Sequence, residues 1–191
     1  MPSSPARPRN AAATREAILD SAVRHFAEAG YDGAGVREIA QDAGVTAMMV
    51  NRYFGSKEQL FAEAVDTSFA PALFIAEQSE HVARDAAAML VARTDPEADA
   101  PAPFLIMLRS VSNPRAAEIV RDAIERHVGA RLARQLPEPG RQVRTDVILS
   151  VISGVILMRK VVGARSLRES TDDLIELIEA VFASVVATTS G

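Results

Sequence analysis

The feature that most constrains this chain is the stretch Val36–Lys57, VREIAQDAGVTAMMVNRYFGSK, which is typical of two short helices joined by a tight turn. The apolar residues of its first half recur at helical spacing and form one stripe: Val36, Ile39, Ala40 and Ala43. Gly44 supplies the left-handed backbone position that commonly follows a helix C-terminus. Thr46 can cap a second helix, Ala47 to Tyr53, because its hydroxyl can accept an otherwise unbonded backbone N–H. A helix, a glycine-containing turn and a helix form the arrangement that places the second helix in the DNA major groove.

Helix signals on both sides extend this pattern. Ser56 is followed three residues later by Gln59, a capping box that predicts a further helix reaching Phe69. Upstream, Thr14 can cap a helix whose apolar face recurs at helical spacing: Ile18, Leu19, Ala22, Val23 and Phe26. We expect this face to pack on Ile39 and Phe54 and so to form a small three-helix core.

Four motifs at fixed spacings give the segment Thr14 to Val65 a resemblance to a known family. They are TREAIL at Thr14 to Leu19, AxxxFxxxGY at Ala22 to Tyr31, VREIAxxAGV at Val36 to Val45, and RYFGSKEQLF at Arg52 to Phe61. Together they resemble the N-terminal domain of TetR-type transcriptional regulators. A later stretch, Phe104 to Val120, is similar to the C-terminal domain of one actinobacterial TetR subgroup.

The resemblance implies a repressor that binds a palindromic operator in double-stranded DNA and is released by a small-molecule effector. It also implies a homodimer that forms through a four-helix bundle of the last two helices. The chain departs from the family pattern at two places. Ala34 and Gly35 offer no hydroxyl where the family usually caps the second helix with Ser or Thr, and Asn51 replaces a tyrosine that commonly contacts phosphate.

Composition favours an all-α fold. Hydrophobic residues make up 48% of the chain, and glycine is sparse at ten residues. No alternating apolar run is bounded by hairpin turns. We therefore predict a three-helix helix-turn-helix DNA-binding domain plus a helical ligand-binding and dimerisation domain. The predicted boundaries are residues 1–13 for a disordered basic arm, 14–56 for the DNA-binding domain, and 57–187 for the effector-binding and dimerisation domain.

The distribution of charge matters more than the formal net charge of −4. Arg7, Arg9 and Arg15 precede the first acidic residue, Glu16, so the N-terminal arm is basic. Two interpretations remain open for it. It is a solvated disordered tail, or it settles on DNA phosphates or in the minor groove when DNA binds.

Several classes of protein are disfavoured. Cysteine is absent, which excludes disulfides and thiolate metal sites and suits the reducing cytoplasm, where we expect the protein to act. The longest apolar run, Val147 to Met158, is far shorter than the roughly 20 residues of a membrane span, so no membrane partner is expected. No metal-ligand spacing, Gly-rich phosphate loop or nucleophile motif occurs. We therefore predict no cofactor, no metal and no enzymatic activity.

The predicted DNA-binding residues lie in and around the second helix of the turn. They are Arg37, Thr46, Ala47, Met48, Met49, Asn51, Arg52, Tyr53 and Lys57. Ala47 and Met48 suit thymine methyls, whereas Arg52, Tyr53 and Lys57 suit phosphates. Asn51 can pair with adenine or replace a phosphate contact, and Tyr53 can instead pack in the core. We expect one of Met48 and Met49 to face inward.

A second predicted site is an apolar ligand pocket in the middle helices. Its candidate residues are Phe69, Phe74, Met89, Phe104, Met107, Leu108 and Met158. Aromatics and methionines on kinked helices can line such a pocket, and for each single residue ordinary core packing is the alternative. The implied effector is apolar or amphipathic, and it would bias the angle of the helix Lys57–Phe69.

The last two predicted helices are apolar on more than one face, which favours a partner. The candidate dimer residues are Val147, Val151, Gly154, Val155, Leu174, Ile178, Val181, Phe182 and Val185. An ordinary internal helix pair is the alternative. For the whole chain, the alternative to a ligand-responsive regulator is a helical small-molecule binding protein whose DNA-binding module is degenerate.

Overall fold

The computed structural model describes residues 7–70 and 82–188, with side chains at 11–70 and 83–188. Within these ranges all regular secondary structure is helical, which confirms the all-α prediction. The α helices are α1 (Arg7–Gly33), α2 (Val36–Asp42), α3 (Ala47–Phe54), α4 (Lys57–Phe69), α5 (Val82–Arg93), α6 (Ala102–Ser110), α7 (Pro114–Ile124), α8 (Ala130–Ala133), α9 (Arg141–Ile156), α10 (Arg165–Glu169) and α11 (Thr171–Ala187). Two π-helical segments, Glu125–Gly129 and Leu157–Val162, follow α7 and α9.

The first helix begins earlier than its sequence pattern predicts. It starts at Arg7, so the predicted start at Thr14 is wrong, and residues 7–13 of the predicted disordered arm are helical. A proline in the first turn of a helix, here Pro8, removes no helical hydrogen bond, and the alanines that follow have the highest helix propensity. The helical backbone is interrupted at Gly30, where φ is 69° and ψ is −179°.

Helix boundaries elsewhere follow from local chemistry. The pair Asn113-Pro114 predicts an N-cap followed by proline at the first helical position. The structure confirms this, because the side-chain oxygen of Asn113 accepts the backbone N–H of Ala116 at 3.0 Å and Pro114 is the first residue of α7. The apolar residues at positions 116, 120, 124, 128, 132 and 136 recur every four residues and predict one continuous helix, but the π-helical segment Glu125–Gly129 interrupts it. The five-residue α10 has no apolar stripe and was not predicted.

The chain forms two compact units. The first comprises Met1–Ser68 and Leu105–Asp122. Its core contains the predicted face of α1, with Ile18, Ala22 and Phe26 all fully buried. The rings of Phe26 and Phe61 meet edge-on with centroids 4.9 Å apart, so α4 packs on α1. For this reason residues 57–68 group with the helix-turn-helix segment, although the predicted second domain begins at residue 57.

The second unit comprises Phe69–Phe104 and Ala123–Gly191. In it α11 packs on α5 and α9. One face of α9 supplies three buried isoleucines: Ile148, Ile152 and Ile156. The same face carries Arg144 and, beyond the helix end, Arg159, which are only 7% and 2% exposed.

Arg159 joins the ends of two other helices. Its guanidinium donates to the carbonyls of Val91 in α5 and Leu167 in α10, both at 2.8 Å, and to the hydroxyl of Thr94. Carbonyls in the last turn of a helix lack intrahelical partners, and a cation suits the negative end of the helix dipole. Burial lowers the pKa of Arg159, and the nearby negative charge of Asp95 opposes this shift. An arginine nevertheless remains charged at physiological pH. The buried charge therefore holds α5 and α10 to the segment after α9.

Candidate nucleic-acid interface

The orientation of α3 is fixed at both of its ends. At its start the Thr46 hydroxyl accepts the backbone N–H of Met49 at 3.4 Å, which confirms the predicted cap. At its end Gly55 adopts a φ of 80°. Between them Val50 and Phe54 are 2% and 4% exposed, so this face anchors the helix in the core of the first unit. The opposite face must therefore point outward.

That outward face carries three exposed side chains, Met48, Asn51 and Arg52. Met48 is 80% exposed, more than any other large hydrophobic residue in the described part of the chain. Met49 is half-buried, so of the two methionines Met48 is the one that faces solvent. The remaining predicted contact residues of α3, Ala47 and Tyr53, are half-buried, and both interpretations of Tyr53 stay open.

A polar cluster that the sequence analysis missed holds α2 against α1. The Ser21 hydroxyl is fully buried and lies 3.0 Å from the carbonyl of Ile39 and 2.8 Å from the carboxylate of Asp42. Arg24 donates to the same carboxylate at 2.7 Å. These hydrogen bonds from Arg24 and Ser21 lower the pKa of Asp42. In the sequence, this polar cluster is indicated only by a serine, Ser21, next to Ala22 on the apolar face of α1.

The predicted basic residues differ in how firmly they are held. Arg37 is exposed, as Arg52 is. Lys57 is half-buried, since its ammonium lies 4.9 Å from the ring centroid of Tyr31 and 3.5 Å from the carbonyl of Asp32. Arg37 and Arg52 are thus the cations that can reach a ligand without breaking such a contact.

The corner between α6 and α7 forms a clasp on the C-terminal part of α1, within the first unit. We use "clasp" for the contacts of residues 109–113 with residues 27–32. Arg109 donates to the carbonyl of Ala27, and the backbone N–H of Tyr31 donates to the Ser110 hydroxyl at 3.0 Å. The side-chain amide of Asn113 donates to Asp32 at 2.9 Å.

The predicted ligand residues are not gathered in one unit. Phe69 and Phe104 are buried in the second unit at 7% and 6% exposure, and Met89 is half-buried there. Met158 in the second unit is 39% exposed. Met107 and Leu108 belong to the first unit. Phe74 lies outside the described residues.

The predicted dimer residues separate into two groups. Leu174, Ile178 and Phe182 are 6%, 4% and 2% exposed within one chain, so their assignment to an interface is wrong. Their spacing of four residues places them on the stripe of α11 that packs inside the second unit. The other six are exposed or half-buried: Val147, Val151, Gly154, Val155, Val181 and Val185. Val143 and Leu177, which were not predicted, are 68% and 66% exposed.

The described residues contain neither a membrane-spanning helix nor a metal-binding cluster. Among residues 7–70 and 82–188, no helix is long and apolar enough to cross a membrane. Over the same part of the chain, no three His, Cys, Asp or Glu side chains lie close enough together to bind a metal ion.

A capped helix that follows a glycine turn and presents one free polar face defines the helix-turn-helix class of proteins. Residues 18–64 match the family described as bacterial regulatory proteins, tetR family, and residues 80–186 match the tetracyclin repressor-like C-terminal domain. The second match alone covers more than half of the chain. The chain belongs to the TetR family.

Curated relatives share the N-terminal segment. The chain is 39% identical over 51 residues to the transcriptional regulator BetI of Agrobacterium fabrum, a match that covers 27% of this chain and 25% of BetI. It is 44% identical over 48 residues to the transcriptional repressor AcnR of Corynebacterium efficiens, covering 25% and 26% of the two chains. The matched segment thus spans about a quarter of each of these relatives.

Solved structures share the whole fold. A TetR-family regulator from Streptomyces coelicolor A3 aligns at 25% identity with a TM-score of 0.60, over 97% of this chain and 100% of that one. GusR of Salmonella enterica aligns at 17% identity with a TM-score of 0.68, over 97% and 100%. The multidrug binding protein EbrR, in complex with proflavin, aligns at 19% identity with a TM-score of 0.61, over 91% and 99%.

Proposed function

We propose that this chain is a ligand-responsive transcriptional repressor that binds a palindromic operator in double-stranded DNA. The observation that carries the proposal is the outward face of α3, on which Met48, Asn51 and Arg52 are exposed while Val50 and Phe54 anchor the helix. Membership of a regulatory family supports it. We assign the protein to the cytoplasm and propose no catalytic role for it.

Residues 14–56 are proposed to contact DNA, and residues 57–187 to bind the effector and the partner subunit. Arg37, Arg52, Tyr53 and Lys57 are assigned to phosphates. The other proposed contact residues, which lie nearer the base edges, are Thr46, Ala47, Met48, Met49 and Asn51.

The proposed partner is a second copy of this chain. A palindrome presents two half-sites, which a two-fold symmetric dimer matches with its two recognition helices. Exposed apolar residues on α9 and α11 support this proposal, and we call them the α9–α11 face: Val143, Val147, Leu177 and Val181. Gly154 lies on α9, and a Cβ atom built there would meet nothing within 4 Å, so another backbone could approach closely at this position.

The proposed effector is an apolar or amphipathic small molecule bound by the middle helices. The multidrug binding protein EbrR, which shares this fold, is solved in complex with proflavin and with ethidium, and this supports a small-molecule effector. The helix α6 supports coupling to DNA, because its end forms the clasp on α1. An effector changes DNA affinity only if it binds the two states of the protein unequally.

Loss of phosphate contacts gives the first test. Arg37→Ala and Arg52→Ala are each expected to weaken binding to the DNA upstream of the chain's own gene and to reduce the slope of log affinity against log salt by about 1. Fluorescence anisotropy between 50 and 300 mM salt measures both quantities. Arg134→Ala, at an exposed arginine of the second unit, is the matched control and should leave the slope unchanged.

The opposite result is equally informative. If the wild-type chain binds that DNA without a salt slope, or if both arginine variants match the control, the DNA-binding proposal is wrong. A helical small-molecule binding protein with a degenerate DNA-binding module would then be the better interpretation.

A thermal-shift screen of the full chain tests the effector. A compound present at 100 times its Kd is expected to add about 2.7 kcal/mol to the free energy of unfolding. The same compound, added to the protein–DNA complex, should lower the DNA affinity. A set of compounds that raise the Tm and leave DNA affinity unchanged would contradict release by an effector.

A further inference from the structure

The outward face of α3 presents chemistry that suits particular base pairs. Met48 and Asn51 are three residues apart and therefore lie on the same side of the helix. Met48 exposes 80% of its surface, so its side chain is free to contact a binding partner, and covering it would be favourable. The amide of Asn51 is exposed and makes no hydrogen bond to the described part of the chain. The Thr46 hydroxyl, by contrast, is already used in capping.

We infer that Met48 and Asn51 recognise two consecutive A·T base pairs in each operator half-site. In the major groove the apolar group on a base edge is the C5 methyl of thymine, and an asparagine amide pairs bidentately with N6 and N7 of adenine. The inference rests on the proposed function, because it requires α3 to enter the major groove.

The spacing of the two side chains explains why the base pairs are neighbours. A helix rises 1.5 Å per residue, so the two residues are separated by about 4.5 Å along the axis. Base pairs stack about 3.4 Å apart, so two side chains at this separation reach adjacent steps. Met48 thus covers a thymine methyl while Asn51 pairs with the adenine of the next base pair.

Asn51 is better suited to a base than to a phosphate. It is a neutral side chain on the outward side of α3, and the exposed cations Arg37 and Arg52 are available for the phosphate backbone. Phosphates are bound most strongly by charged donors, and a neutral amide gains more from the paired acceptor and donor of adenine.

The test begins with selection of duplexes from a random library by the full wild-type chain. We expect each half-site to contain two consecutive A·T pairs. At those positions, deoxyuridine in place of thymidine removes only the methyl group, and 7-deazaadenine removes only the N7 acceptor. Methyl removal is expected to weaken wild-type binding about fourfold per half-site, and N7 removal fivefold or more.

The variants assign each effect to one side chain. Met48→Ala should abolish sensitivity to methyl removal, and Asn51→Ala should abolish sensitivity to N7 removal. Val162→Ala, at a valine of the second unit that is 61% exposed and lies outside the proposed DNA-contact residues, is the control and should keep both sensitivities. Met48 is so exposed that its truncation should leave the fold intact, which circular dichroism verifies.

The outcomes separate this inference from the proposed function. If no duplex is selected, the proposed function fails and the inference fails with it. If duplexes are selected but lack consecutive A·T pairs, or if the sensitivities persist in Met48→Ala and Asn51→Ala, only the base assignment is overturned. Loss of each sensitivity in its own variant supports it.

Discussion

The double variant Leu177→Glu, Val181→Glu is expected to be a folded monomer that binds operator DNA at least 100-fold more weakly than the wild type. Both residues lie on the α9–α11 face, at 66% and 43% exposure within one chain. Glutamate is well solvated at such positions in a monomer, so the fold should persist. In a dimer the same positions would be covered by the partner, and the carboxylates would lose water.

The size of the effect follows from symmetry. Covering one leucine or valine contributes about 1.5–3 kcal/mol, and an unpaired charge buried in its place costs about 3–5 kcal/mol. A two-fold axis presents each substitution twice. An increase of the dimer Kd by more than 1,000-fold, about 4 kcal/mol, is therefore expected. Separate subunits also lose the benefit of tethering two half-site contacts, which is worth about 10²–10⁴ in affinity.

Sedimentation equilibrium measures the dimer Kd, and fluorescence anisotropy measures DNA affinity. Val111→Glu is the matched control, because Val111 is 51% exposed but lies outside the α9–α11 face. It should remain dimeric. A double variant that keeps the wild-type Kd would show that copies of this chain do not meet through α9 and α11.

In α11, the periodicity of apolar residues does not indicate which side of the helix is buried inside the unit and which is exposed. The apolar residues of α11 form two neighbouring stripes of similar hydrophobicity. One stripe lies at positions 174, 178 and 182, and the other lies at positions 177 and 181. Both were compatible with an interface from the sequence alone. Which of the two stripes is buried depends on the packing of α5 on α11, and this contact joins segments far apart in the chain. The stripe with Phe182 is buried in the unit, and the stripe with Leu177 is left exposed.

The recognition helix was predictable because its determinants are local. The cap at Thr46, the buried Val50 and the glycine at the helix end lie within ten residues of one another, and each acts through a short-range rule. The early start of α1 was not predicted because Thr14 offers a helix cap and three prolines precede it in the sequence, although proline is tolerated in a first helical turn.

The buried polar contacts could not be predicted in the same way. Arg144 and Arg159 extend the isoleucine face of α9, where a cation is normally excluded unless it is paired. Their partners are mainly backbone carbonyls, which every residue has, so the pattern of side chains in the sequence does not indicate these contacts. The clasp of α6–α7 on α1 likewise joins residues about 80 positions apart in the chain.

Gly30→Ala is expected to destabilise the protein through that clasp. Gly30 has a φ of 69°, and a Cβ atom there would lie 2.1 Å from the carbonyl oxygen of Arg109. With ψ at −179°, this positive-φ conformation is essentially restricted to glycine and costs an alanine about 1–3 kcal/mol. The overlap adds about 1–3 kcal/mol, because Arg109 belongs to a helix that must shift as a whole.

Alanine variants of two other glycines help to separate the backbone conformational cost from the steric overlap in Gly30→Ala. Gly44 has the same φ of 69° with nothing within 4 Å of its Cβ position, so Gly44→Ala should show the cost of a positive φ without a steric overlap. Gly33 lies in α1 without a positive φ, and its added Cβ would meet only the Cβ of Ala29 at 3.2 Å. Gly33→Ala should therefore stay within about 1 kcal/mol of the wild type, since alanine favours the helix and the contact opposes it.

Urea unfolding of the three variants measures these differences, because a change in midpoint at constant m reports stability alone. The loss in Gly30→Ala minus the loss in Gly44→Ala contains the resistance of α6 to being moved from α1, together with any difference in backbone cost between the two glycines. A difference near zero would mean that Arg109 moves away freely, and the clasp could then not transmit a shift of α6 to the recognition helix. A difference of about 1–3 kcal/mol would show a close-packed contact that resists separation, which is the property that coupling between effector and DNA requires.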